Sequence, residues 1–237
     1  MFRTIVLSLA ILFTSNQATS HQNNLKPIYY LSGMNDKVDE KNINKNYLIF
    51  KDRKTSLKGY KDKSDKIIIP AQFHQACHFN KYGIANVCYE RTRNCYKINT
   101  SGKNIAKSFE INNGPDYEVD NMSRIVKNNK VGYIDNTGKI IIPPQFDWIG
   151  IFNLSSPITV VSIGCVSVRV PNSEYSEMKG GKWGAIDKTG KIIVPIEYDE
   201  FDGYLPKDKK TLTFKKGDQS FELYEVSPNQ YKLIPMH

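Results

Sequence analysis

Histidine is scarce in this chain: four in 237 residues, at His21, His74, His78 and His237. Chemistry that needs an imidazole as base or metal ligand has few places to sit. His74, Cys77 and His78 make one close group, HQACH, but a second ligand pair at zinc-site spacing is missing. There is no G-x-S-x-G elbow, no phosphate-cradling glycine loop and no H-E-x-x-H motif. Ser176-x-x-Lys179 and Lys188-Thr189-Gly190 echo two elements of serine acyl transferases, yet they stand too close together and the third element is missing. No catalytic, cofactor or metal residue is assigned on these grounds. Long apolar runs are missing as well. Residues 5–13 form an apolar stretch far short of the ~20 residues that cross a membrane core of ~30 Å. Nor does any block of five like charges occur. The nearest is Lys207, Lys209 and Lys210 with Lys215 and Lys216, interrupted by Asp208.

What the chain does have is an internal repeat, and repeats decide architecture before anything else. Residues 182–201 read KWGAIDKTGKIIVPIEYDEF. Residues 130–148 read KVGYIDNTGKIIIPPQFDW, and a worn copy starts at Lys58 as KGYKDKSDKIIIPAQFH. Two β-type runs joined by a short glycine-containing turn are a hairpin signal. The turn is Asp135-Asn136-Thr137-Gly138 in one copy and Asp187-Lys188-Thr189-Gly190 in another. Aspartate at the first position accepts from the amide two residues on. Gly138 and Gly190 take positive φ without a Cβ clash. Asn99-Thr100-Ser101-Gly102 keeps this chemistry. Asp62-Lys63-Ser64-Asp65 puts a tolerant Asp in the glycine place.

Equivalent positions fall at Gly59, Tyr96, Gly132, Gly184 and, weakly, Tyr224. The long interval before Gly184 holds an insertion of roughly 15 residues between 154 and 181, where repeat proteins carry variable contacts. The isoleucine-rich second strands at residues 67–69, 140–142 and 192–194 form the expected core stripe. Phe73, Phe146 and Tyr198 recur at one phase and are expected to pack between units. The fold expected is all-β: tandem antiparallel β-hairpin repeats forming an open solenoid-like array, or alternatively a closed five-bladed propeller-like arrangement.

Lys182-Trp183-Gly184, then residues 186–195 as IDKTGKIIVP, then Tyr198-Asp199, resembles the WG-repeat family. Phe79 with residues 83–87, GIANV, fits the way that family's repeat continues. The name-giving tryptophan survives at Trp183 alone, with Lys58, Cys95 and Val131 in its place elsewhere. The resemblance implies a tandem β-repeat protein, often exported, and supplies no catalytic residue. The reading is then a signal peptide at 1–20, a polar linker at 21–46 and a WG-repeat domain at 47–237. Its units lie near 47–87, 88–123, 124–170, 182–215 and 216–237.

Residues 1–20 have the form of a secretory signal, with Arg3, an apolar centre and small residues before a cut at His21. Four cysteines, Cys77, Cys88, Cys95 and Cys165, suit an oxidising compartment. Cys88 and Cys95 fall on facing strands and are the preferred pair. Cys77–Cys165 would follow and would require the first and third units to touch. The net charge of +9 favours anionic partners. The functional expectation is a non-enzymatic binding or scaffold protein, periplasmic or secreted. It would contact an anionic envelope polymer or a protein, with no nucleic acid and no membrane span in the mature chain. An envelope glycan hydrolase with paired carboxylates and a secreted effector or inhibitor are the alternatives.

Overall fold

The computed structural model describes residues 40–111, 114–152, 157–172, 176–202 and 212–236. The expected signal peptide at 1–20, residues 21–39 of the expected linker, Lys207, Lys209, Lys210 and His237 lie outside the described residues. Apart from one short 3-10 turn at Glu40–Asn42, the regular structure is antiparallel β.

The strands form a run of meanders in chain order. The first sheet joins Leu48–Lys51, Lys58–Lys61 and Ile67–Phe73. The second has seven strands and contains two meanders. One is Gln75–Ala76, Ile84–Cys88, Cys95–Asn99 and Asn104–Ser108. The other is Met122–Lys127, Lys130–Asp135 and Ile140–Phe146. They meet edge to edge where Ile125 faces Ser108 and Val126 faces Lys107. A third sheet joins Trp148–Ile149, Ile158–Ile163, Lys182–Asp187 and Ile192–Tyr198. The last joins Glu200–Asp202, Leu212–Lys216, Gln219–Ser227 and Gln230–Pro235.

The units at Gly59, Gly132 and Gly184 therefore each straddle two sheets, while the unit around Tyr96 continues within the second. The turn-bearing strands finish one sheet, and the chain then steps at Phe73-His74, Phe146-Asp147 or Tyr198-Asp199 into a short first strand of the next. This staggering binds neighbouring sheets together covalently, and side chains complete the joint. Tyr60, Ile69 and Phe73 of the first sheet pack with Phe79, Val87 and Ile98 of the second. Tyr133, Ile142 and Phe146 pack with Phe152, Val161 and Ile186. Val160, Trp183, Ala185 and Tyr198 pack with Leu212, Phe214 and Leu223. Strand periodicity explains how the third sheet serves two cores: Val161 and Ile186 point one way, Val160 and Ala185 the other. Phe73, Phe146 and Tyr198 lie one in each core, as their shared phase predicts. Among the described residues, no strand pairing and no core links the last sheet back to the first. The array is open.

A register slip just after each turn, between Ile67 and Ile69, Ile140 and Ile142, and Ile192 and Val194, corrects the core stripe. Ile69, Ile142 and Val194 are buried, but Ile67, Ile140 and Ile192 at the strand starts face water. The described part of the insertion holds strands of its own. Val166–Arg169 pairs with Ser176–Lys179 as a separate two-stranded arm. It leaves the sheet where Gly164 and Gly181, both at positive φ, pass too closely for a side chain.

Backbone contact explains the second glycine of the repeat. On the strand pair of Gly132, the register slips by two residues opposite Pro143 and Pro144. A Cβ on Gly132 would press on the Ile142 carbonyl and lie 2.6 Å from the Pro144 nitrogen. Gly184 meets Val194 and Pro195 in the same way, and Gly59 meets Ile69 and Ala71. The strand pair of Tyr96 lacks both the proline and the two-residue slip, so a tyrosine fits there.

Candidate functional site

The four D-x-[TS]-G-type turns share one hydrogen-bond network. The Asp135 Oδ1 accepts from the Thr137 amide at 2.9 Å, the Thr137 hydroxyl at 2.6 Å and the Lys139 amide at 3.0 Å. Asp187 accepts from Thr189 twice and from the Lys191 amide. Asp62 does so with Ser64 and Lys66, and Asn99 with Ser101 and Lys103. Sequence reasoning anticipated the first of these three bonds but not the hydroxyl or the second amide. They hold the Asp135 and Asp62 carboxyls below the ordinary carboxylate range, although partial burial of Asp135 opposes the shift. Gly138, Gly190 and Gly102 have φ of 89°, 87° and 81°, and Asp65 takes the glycine place at 67°. Asn80 builds a related turn, accepting from the amides of Tyr82 and Ile84.

Several of these turns lie against the unit before them or against a neighbouring turn. A Cβ added at Gly102 would sit 3.3 Å from Ile69 of the preceding sheet, and one at Gly190 would sit 3.4 Å from Ile142. The Asn80 amide donates to the Asn136 carbonyl at 2.7 Å. Asn136 donates to Asn121 at 3.0 Å, and Lys188 pairs with Asp120. Between them opens a cleft of about 420 Å³, lined among others by Asn42, Lys81, Tyr82, Asp120, Asn121 and Asn136. The residue after each turn is a lysine: Lys66, Lys103, Lys139 and Lys191. All four are exposed, and none is in an ion pair among the described residues.

Three stretches, residues 59–90, 132–162 and 183–205, match the family model described as WG containing repeat. The chain carries WG containing repeats. Neither a curated protein nor a solved structure matches it. Each match begins at or beside the crowded glycine and runs into the next sheet, so the family's unit is the staggered one. The strand pair at Tyr96, without the proline slip, begins no match of its own.

The WG tryptophan itself is structural. Trp183 is buried against Trp148 and Phe201, and its indole N–H donates to the Gly180 carbonyl at 3.1 Å. The lysine before the glycine motif is structural too. Lys130 pairs with Asp147 at 2.7 Å and Lys182 with Asp199 at 2.6 Å. The same aspartates accept from the Gly164 and Gly217 amides. Both carboxyls are held below their usual range by these bonds.

The unit around Tyr96 is where the pattern breaks. Tyr60 and Tyr133 send their hydroxyls to the carbonyls of Cys77 and Gly150. Lys97 occupies the equivalent place and is 3% exposed. Burial pushes its ammonium down, while Glu118 and Asp116 oppose that shift. Burial likewise pushes Glu118 up. Asp116 is held by Arg124 through two bonds of 2.7 and 2.9 Å, both side chains buried. Composition alone treats lysine as a surface residue, so no sequence signal short of the repeat alignment marks Lys97.

Cys88 and Cys95 face each other across their strands and form a disulfide, with Cα atoms 4.0 Å apart. The expected Cys77–Cys165 bridge is not formed. Both are buried thiols, Cys77 beside Tyr60 in the first joint and Cys165 in the last core. The array spaces those joints apart along the chain, so the two units never supply facing positions. His74 and His78 stay with the short strand after Phe73, and burial lowers the pKa of His78. Among the described residues, no three His, Cys, Asp or Glu side chains gather as metal ligands. No described helix is long and apolar enough to cross a membrane.

Proposed function

We propose that this WG-repeat protein is exported to the bacterial cell envelope and acts there, without catalysis, as a binding or scaffold protein for anionic envelope material or a protein partner. The observation that carries the reading is the recurrence of an exposed lysine after each turn, at Lys66, Lys103, Lys139 and Lys191. One turn position recurs across stacked units, and each time it puts a cation with no ion-pair partner among the described residues into solvent. The turn carboxylates and the aromatic positions are taken up by the fold, so lysines are what the repeat leaves for a partner. The net charge of +9 and the form of residues 1–20 support the same compartment and partner class.

The test is direct. The full chain is expressed in a Gram-negative host, and the N-terminus of the periplasmic product is sequenced. The purified product is then sedimented with envelope fragments. Cleavage before His21, and retention at low salt that weakens as salt rises, support the proposal. Cytoplasmic retention, or recovery no greater than for serum albumin, contradicts it.

A further inference from the structure

Within the reading of an anionic-envelope binder, we infer that the D-x-[TS]-G-type turns dock on an anionic lipid surface rather than on a soluble polymer. The decisive feature is the residue next to each of three lysines. Ile67, Ile140 and Ile192 come directly after Lys66, Lys139 and Lys191, and they are 56%, 48% and 54% exposed. Strand propensity admits threonine or valine there as readily as isoleucine, and the core begins only two residues later at Ile69, Ile142 and Val194. Scattered exposed apolar residues are ordinary, but a recurring set beside recurring cations is a composite surface.

A neighbouring turn carries an aromatic of the same character. Tyr82 is 49% exposed beside Lys81, on a turn tied to the next unit through Asn80 and Asn136. Tyrosine at such a place has an apolar ring and a wet hydroxyl, the combination that settles at a membrane interface. Lysine ammoniums attract headgroup phosphates, and isoleucine side chains gain by entering the acyl boundary. A soluble polyanion would use the lysines and leave the isoleucines idle. Bonds among Asn80, Asn136 and Asn121 and the pair of Lys188 with Asp120 link the turns before Ile140 and Ile192 to the Tyr82 turn, so these groups act together as a multivalent strip.

The experiment compares three probes: vesicles of phosphatidylcholine alone, vesicles of phosphatidylcholine with phosphatidylglycerol, and soluble polyphosphate. The purified chain is expected to co-sediment with the mixed vesicles and not with the neutral ones. Replacing Lys66, Lys103, Lys139 and Lys191 by Gln weakens that binding about fivefold per lysine. Replacing Ile67, Ile140 and Ile192 by Ser weakens vesicle binding roughly tenfold and leaves binding to polyphosphate unchanged. Thermal unfolding of both variants confirms that the exposed substitutions leave the fold intact, and Ile140→Ser alone serves if the triple variant does not. If the Ser variant binds mixed vesicles as the parent does, or polyphosphate competes fully, the lipid inference falls while the anionic-binder reading stands. If neither vesicle nor polyphosphate binds, both fall.

Discussion

The Tyr133 hydroxyl lies 2.7 Å from the Gly150 carbonyl oxygen and donates to it, across the joint between two sheets. Tyr60 makes the same reach to Cys77 at 2.6 Å. In both cases a side chain of the turn-bearing strand satisfies a buried carbonyl in the segment that opens the next unit. Burial pushes both phenol pKa values up, so the bond stays intact at any ordinary pH. Removing the hydroxyl leaves the carbonyl unpartnered. Tyr133→Phe is expected to cost about 1–2 kcal/mol, read from the midpoint of urea unfolding. A change below a few tenths would mean that the joint is held by apolar packing alone.

The crowded glycine makes a sharper prediction. Gly132→Ala and Gly184→Ala place a methyl group into backbone atoms of the slipped strand, and each is expected to cost more than about 3 kcal/mol or to prevent folding. Gly180→Ala meets nothing within 4 Å and suffers only from its φ of 70°, about 1 kcal/mol. Urea unfolding of the three variants checks the order. Equal effects would refute the account of the slip.

Much of the fold was legible in the sequence for a physical reason: turn chemistry is local. Asp135 and Gly138 declare a reversal within four residues, and Asp65 in place of glycine obeys the same rule. What is not local was not legible. Gly132 reads as a weak point in a strand until Pro143 and Pro144 are seen folded over it. Sheet boundaries cannot be read from the repeat, because the repeat is staggered across them. Cys88 and Cys95 are near in sequence and face each other through one hairpin, whereas Cys77 and Cys165 depend on how distant units are placed. Lys97 was hidden by its own type. The recurring lysines stood in plain view, yet their exposure is a property of the folded turns.

The turn aspartates give a pH dependence. The folded-state pKa values of Asp62 and Asp135 lie below the ordinary aspartate value of 3.8. Their contribution is therefore fully present above that value, and it is lost as the pH falls through the lower folded value. Unfolding midpoints should drop below about pH 4. Asp135→Asn keeps the turn, as Asn99 does, and should show a shallower acid decline. Asp135→Ala should cost about 1 kcal/mol at neutral pH. An identical acid profile for the Asn variant would show that other groups govern the decline.

The thiols are separable by chemistry. Unfolded without reductant, the chain should be alkylated at Cys77 and Cys165 and nowhere else. Cys88 and Cys95 should react after reduction only. Breaking their bridge should lower stability by about 2 kcal/mol. Alkylation of Cys88 in the unreduced protein, read by peptide mapping, would contradict the pairing.

The most direct measurement is binding of the purified chain to phosphatidylglycerol-containing vesicles across rising salt. Exposed lysines recurring after the turns predict tight association at low salt that weakens steeply once the screening length falls below about 10 Å, and loss of that dependence when Lys66, Lys103, Lys139 and Lys191 are all glutamine. Binding that ignores salt, or that is equal on neutral vesicles, would contradict it.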